Sequence, residues 1–207
     1  MLVTGIKSKP VYAPLQADTR GRYHLMAGMG VGEAPLLRVI AEMRAASHPL
    51  EHARVLFVPD AGSAAAGAVP AIERFKAAGL AEVQSFPATS LLLERFRGIL
   101  GQSLMGTRLY VAGPESFIGL VMKIALEFNL NKDEIRAQEC GSLARRVYCI
   151  HCRATTENVR TNIVRCVQCH RWLLVRDHYS RRLAAYMGVM ADAEAPGELP
   201  PLKELFL

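Results

Sequence analysis

The chain has 207 residues, 51% hydrophobic and 21% charged, which excludes a disordered or fibrous chain and allows one sizeable core with a satellite, or two small domains. No stretch approaches the roughly 20 apolar residues of a membrane span, and Met1 to Lys9 lacks the apolar run and small-residue cleavage site of a secretory leader. The expectation is a cytoplasmic protein with reduced thiols. Its net charge of +6 is lopsided, because residues 141–190 hold nine arginines against Glu157 and Asp177, which leaves −1 for everything else.

Residues 1–22 read as an irregular lead-in, since Pro10 and Pro14 disfavour helix. Tyr23 to Ala27 reads as a short apolar strand. It runs into Gly28-Met29-Gly30-Val31-Gly32-Glu33-Ala34-Pro35, and then Leu36 to Ala46 reads as a helix, with Leu36, Leu37, Ile40 and Met43 on one face. Pro35 suits a first helical turn. Strand, glycine turn and helix together bring backbone N–H groups and a helix N-terminus up to a phosphate. The pattern repeats: a strand at Arg54 to Val58, a small-residue loop at Asp60-Ala61-Gly62-Ser63, a helix near Val69 to Ala78 and a stop at Gly79. A strand at Glu82 to Phe86, a helix at Ser90 to Leu100 and a strand at Thr107 to Ala112 follow. The last ends in Gly113-Pro114-Glu115-Ser116-Phe117, from which a helix runs to about Asn129.

This alternation predicts an α/β fold, a doubly wound parallel sheet over residues 23–140. Both glycine turns, at 28–32 and 113–114, end strands, where ligands of such sheets sit. Similar turns also occur where no nucleotide binds, so spacing alone leaves nucleotide binding open.

Residues 141–190 carry a stronger signal. Cys149-Ile150-His151-Cys152, thirteen residues and Cys166-Val167-Gln168-Cys169 form the spacing of a tetrahedral tetrathiolate metal site, with a hairpin bringing the two turns together. Zinc and iron both accept four thiolates, so geometry does not choose between them. His151 and His170 flank the ligands as outer or surface groups, and Cys140 stands apart. The basic charge fits nucleic acid, an anionic cofactor or an acidic partner. Asp177-His178-Tyr179-Ser180-Arg181-Arg182 holds an acid, a histidine and a serine, but consecutive side chains diverge, so a docking surface or a solvated basic helix is expected rather than a triad. Residues 191–207 read as a tail, mobile or ordered by a partner, with Leu202, Leu205, Phe206 and Leu207 as an apolar hook.

Two resemblances follow. The run from Gly28 to Leu37 resembles the glycine turn of the pyridine-nucleotide domain of ferredoxin–NADP reductase-like proteins, and Leu109 to Phe117 resembles their second fingerprint. That implies NAD(P)H held by Gly28, Gly30, Gly32, Pro35, Gly113 and Pro114, with Glu115 and Phe117 bordering the nicotinamide and Asp60 near the ribose. Ala112 and Ala34 replace that family's usual Cys and Thr, and the flavin barrel that precedes this domain has no counterpart, so a hydride acceptor is expected on another chain. Arg146 to Cys152, Cys166 to Cys169 and Val175 to Gly188 are similar to the C-terminal module of the dimethylamine monooxygenase small-subunit family. That resemblance implies a subunit of a haem-dependent monooxygenase that demethylates dimethylamine to methylamine and formaldehyde with NAD(P)H and O₂. FMN, an iron–sulfur centre and haem would lie on partner subunits, with this chain docking on the flavin/iron–sulfur subunit and presenting NAD(P)H to its flavin. Rubredoxin-like iron knuckles favour Gly after the second Cys; here Arg153 and His170 stand there, which favours zinc over a mononuclear iron relay, with Cys149, Cys152, Cys166 and Cys169 as ligands. The alternatives are a purely structural, zinc-stapled assembly subunit and an arginine-rich zinc ribbon that binds nucleic acid.

Overall fold

Strand β1 (Tyr23–Met29) lies at the centre of a five-stranded sheet. In the computed structural model, which describes residues 8–60 and 69–207, β1 is flanked by β2 (Ala53–Val58) and β4 (Thr107–Gly113), with β3 (Glu82–Ser85) and β5 (Ile135–Glu139) at the edges. Every pairing in this sheet is parallel. The Ala61-Gly62-Ser63 loop lies outside the described residues.

Side-chain alternation along the strands builds two cores. Leu25, Ala27, Leu56, Leu109 and Val111 pack on one face with helices α3 (Thr89–Leu100) and α4 (Glu115–Glu127). Met26, Val55, Phe57, Tyr110 and Ala112 pack on the other with α1 (Glu33–Ala45) and α2 (Ala71–Ala77). With strand order β3-β2-β1-β4-β5, the chain winds outward from β1 in both directions. The order reverses between β1 and β4, where both glycine turns end up.

The chain divides into two units, Tyr12–Gly141 and Ser142–Leu207, the second together with residues up to Val11. The lead-in is therefore divided between them rather than forming a segment of its own. In the larger unit Leu15 is buried, the Asp18 N–H donates to the Tyr110 hydroxyl (2.9 Å), and the Asp18 carboxylate accepts from Arg20 (2.8 Å), Arg108 (3.2 Å) and Arg136 (3.2 Å). That cluster pins the lead-in to β4 and β5.

The smaller unit is a second five-stranded sheet, β6 (Arg145–Cys149), β7 (Thr155–Val159), β8 (Ile163–Arg165), β9 (Trp172–Ser180) and β10 (Ala185–Met190), in the order β7-β6-β10-β9-β8. Its pairings are antiparallel except β10 on β6. The stretch Asp177 to Ser180 is the end of β9, not a helix, and Arg181 and Arg182 open the turn to β10. The C-terminal segment is tied to this sheet: Leu205 and Phe206 N–H groups donate to the Arg160 carbonyl, and Thr161 bridges Glu204. Phe206 lies over one side of the Arg145 guanidinium (3.8 Å), Tyr186 lies near it as well (4.0 Å), and Arg145 pairs with Asp177 (2.7 Å). The predicted hook is thus split: Phe206 turns inward, while Leu202, Leu205 and Leu207 stay exposed. Among the described residues no helix is long and apolar enough to cross a membrane.

Candidate metal centre

The four cysteines arrive on two copies of one local structure. In each turn the first Cys N–H donates to a carbonyl five residues on (Cys149 to Ala154, 2.9 Å; Cys166 to Arg171, 2.9 Å). In each, the residue after the second Cys donates back to the first Cys carbonyl (Arg153 to Cys149, 2.9 Å; His170 to Cys166, 3.1 Å). Those returning residues adopt left-handed backbone, φ 67° at Arg153 and 57° at His170. This is the conformation that makes glycine the easy choice there, and the chain builds the same knuckle without it.

The turns meet so that all four Sγ atoms lie within 4.8 Å of one another, with Cys149–Cys169 at 3.7 Å and Cys152–Cys166 at 3.4 Å. Tetrahedral bonds of about 2.3 Å require sulfurs about 3.8 Å apart, so the set fits a zinc or iron ion. Cys149 and Cys166 are buried, and Cys152 and Cys169 are half-buried. Their thiols differ in acidity. Burial pushes Cys149 up to about 11, while the backbone N–H of Arg171 holds Cys169 down to about 6. Cys140 belongs to the larger unit and is not one of the four clustered thiols; burial raises its thiol. His151 and His170 are exposed. Asp177 and His178 on β9 are exposed while Tyr179 between β9 neighbours is buried, so Asp177-His178-Tyr179-Ser180 converges on no common point.

The reductase-like turns sit at the switch point as the strand order requires, yet their close approaches are to the chain itself. Gly30 has φ 56°, and a Cβ there would run into the Asp60 carboxylate; a Cβ on Gly32 would run into the Ala112 carbonyl. These glycines let α1 and the end of β2 close onto β1 and β4. Gly28 packs on Leu36 and Phe57, and Pro35 is buried in the first turn of α1. Asp60, expected near a ribose, lies with its carboxylate against Gly30 of the first turn. Glu33 opens α1 and is paired with Arg74. Glu115 opens α4 at 3% exposure, where a helix N-terminus favours a carboxylate. Phe117 is 1% exposed inside the core and presents no face to a nicotinamide, and Gly113 and Pro114 lead into α4 beside it. The turns thus pack closely on the chain itself, with the Asp60 carboxylate beside Gly30 and Phe117 in the core, and no nucleotide step is assigned to this chain.

No motif in the sequence marks the rings around Arg145 or the Asp18 cluster. Their partners come from distant strands, and only the excess of arginine hinted at them.

Two family models match. The description "Dimethylamine monooxygenase subunit DmmA-like, N-terminal domain" covers residues 4–135, and the corresponding C-terminal domain covers residues 146–189. The heme-dependent oxidative N-demethylase delta subunit of Ectopseudomonas mendocina (strain ymp) is 34% identical over 111 residues, 54% of this chain and 63% of that protein. The match therefore spans less than two thirds of the relative's length. Among solved structures, the ferredoxin reductase in carbazole 1,9a-dioxygenase aligns with a TM-score of 0.45 at 17% identity, over 60% of this chain and 36% of the other. An intact type IV self-sufficient cytochrome P450 monooxygenase aligns with a TM-score of 0.47 at 12% identity, over 86% and 22% of the two chains.

Proposed function

The chain belongs to the family of dimethylamine monooxygenase subunits described as DmmA-like, and from that premise we propose that it is a non-catalytic, zinc-stapled subunit of a haem-dependent oxidative N-demethylase. The complex takes NAD(P)H and O₂ and converts dimethylamine to methylamine and formaldehyde in the cytoplasm. Flavin, an iron–sulfur centre and haem lie on partner subunits, and this chain docks on the subunit that carries flavin and iron–sulfur. The observation that carries the reading is the match of both domain models, in order, along one chain.

The site chemistry supports a brace rather than a reaction centre. Four thiolates close the coordination of a tetrahedral ion and leave no position for substrate. Cys149, Cys152, Cys166 and Cys169 would hold zinc, whose contribution is to cross-link the knuckles. The larger unit keeps a reductase-like framework, but its turns are closed by Asp60 and by the packing of Gly32 on Ala112.

The test is co-expression with the flavin/iron–sulfur and haem subunits, followed by size-exclusion chromatography and counting of zinc, iron, flavin and haem in the same fraction. We expect one complex with one zinc per copy of this chain, and dimethylamine-dependent NAD(P)H oxidation that falls away when the chain is omitted. A chain that migrates alone, or a complex fully active without it, overturns the reading.

A further inference from the structure

Each knuckle tip carries one large apolar residue that is exposed, beside exposed polar His151 in the first and Gln168 in the second. Ile150, between the first pair of cysteines, is 45% exposed; Val167, between the second pair, is 59% exposed; Trp172, three residues past Cys169, is 36% exposed. A fold that wanted only a metal staple has no need of large apolar groups there, since polar residues would form the same turns at no cost in exposed area. The tips are also held firmly. The Ile150 N–H donates to the Gly188 carbonyl of β10 (3.2 Å), and the Val167 N–H donates to the Thr156 hydroxyl of β7 (3.4 Å). Both side chains are thus presented on fixed backbone, which lowers the entropy lost when a partner covers them.

The charge around this face has one sign. Residues 150–154 and 165–172 include Arg153, Arg165 and Arg171, and no acid. All three arginines are exposed. Arg165 lies over the Trp172 ring at 5.8 Å and donates to the His170 carbonyl (3.3 Å), so its charge sits at the rim of the apolar face. Two other arginines of the same unit are matched, Arg145 with Asp177 and Arg146 with Glu157, whereas Arg160, Arg181 and Arg182, away from the knuckle tips in the sequence, have no ion pair among the described residues. Among the described residues no such carboxylate faces Arg153 or Arg165. An apolar centre with a cationic rim is the arrangement of a protein interface, whose partner supplies an apolar patch rimmed by carboxylates.

We propose that the knuckle face, Ile150, Val167 and Trp172 with Arg153 and Arg165, is the surface by which this chain docks on an acidic, apolar-centred surface of another subunit of its complex. The proposal rests on the reading of the chain as a subunit of an oxidative N-demethylase. Docking here sets the metal centre against the partner, with half-buried Cys152 and Cys169 facing the contact.

The experiment measures binding of the zinc-loaded full chain to the remaining subunits, purified together without it, at low and high salt. Two variants probe the face: Ile150→Asp with Val167→Asp, and Arg153→Glu with Arg165→Glu. A third, Leu202→Glu with Leu205→Glu, probes the exposed leucines of the C-terminal segment. We expect the first two to keep one zinc per chain and to weaken binding about tenfold or more, with the arginine variant also losing most of the salt dependence. If the Ile150/Val167 variant loses its zinc, the arginine variant, which leaves the tips unchanged, still decides. Knuckle variants that bind like the unmodified chain, or weakening confined to the leucine variant, overturn the docking face and leave the subunit assignment standing. An unmodified chain that binds no subunit overturns both. Tight, salt-dependent binding of random duplex DNA in place of subunits overturns both in favour of a nucleic-acid ribbon.

Discussion

At the scale of single residues the four sulfurs are unequal, and that inequality sets how metal is taken up. With Cys149 at about 11 and Cys169 at about 6, near neutral pH the first still carries a proton that a metal must displace, while the second is largely thiolate. Zinc affinity, measured by competition with a chelator, is expected to fall about tenfold for each unit by which the pH is lowered, for each proton that binding releases. Cys166→Ser is expected to reduce bound zinc well below one per chain and to lower the unfolding temperature of the smaller unit, whereas Cys140→Ser leaves zinc content unchanged. The ligands were legible because their spacing is local: a tight turn fixes two thiolates whatever surrounds it. Arg145 was not, because Asp177, Tyr186 and Phe206 reach it only after the sheet has brought distant segments together.

Among the elements, the strands and helices around β1 to β4 were readable because their apolar runs are bounded by glycine or proline. Strand β5 was not, since Arg136 and Gln138 interrupt Ile135 and Ala137 and leave a half-buried edge with no run to see. Strand β9 was hidden for a similar reason, its outer half being charged while Tyr179 alone turns inward. The C-terminal segment looked loose because its composition is polar and proline-rich, yet one phenylalanine and a few backbone hydrogen bonds hold it. Phe206→Ala is therefore expected to destabilise the smaller unit by about 2 kcal/mol, from lost burial and the lost stack on Arg145. A melt of the full chain would show this as a lowered transition of that unit, with the larger unit unchanged.

Over the whole molecule, acid should be the weak side. Burial, with His48 at 2.7 Å, lowers His24 to about 4 in the fold. The unfolded chain takes up that proton near pH 6.5 and the folded one does not, so stability is complete above 6.5 and drains away as pH falls toward 4. Asp18 acts in the same direction lower down. Its hydrogen bonds from Arg20, with help from Arg108, hold its carboxyl well below the usual carboxylate range, so its contribution is present above about pH 4 and is lost on further acidification. Urea unfolding midpoints should drop from pH 7 to pH 4 and drop further below it, and Asp18→Asn should flatten the decline below about pH 4 while leaving the part above it in place. The fold of the larger unit was visible in the alternation of strand and helix, but the state of its glycine turns was not, because Asp60 reaches Gly30 only when β2 lies beside β1. Titration of the full chain with NADH or NADPH, read by nicotinamide fluorescence, is expected to show no saturable binding; clear saturation would return a nucleotide to the site.

The parallel pairing of β10 on β6 bears on the order of events during folding. Val147 pairs with Tyr186 across a stretch of chain that contains the knuckles, β8 and β9. The four thiols, by contrast, fall within a short stretch of chain and close a small loop. Metal capture is therefore expected to be the early, local event, and sheet closure the late, long-range one. A chain deprived of zinc at the start would have to find the slow contact without the fast one, so metal supply during synthesis, rather than afterwards, should govern how much of the smaller unit reaches its native form.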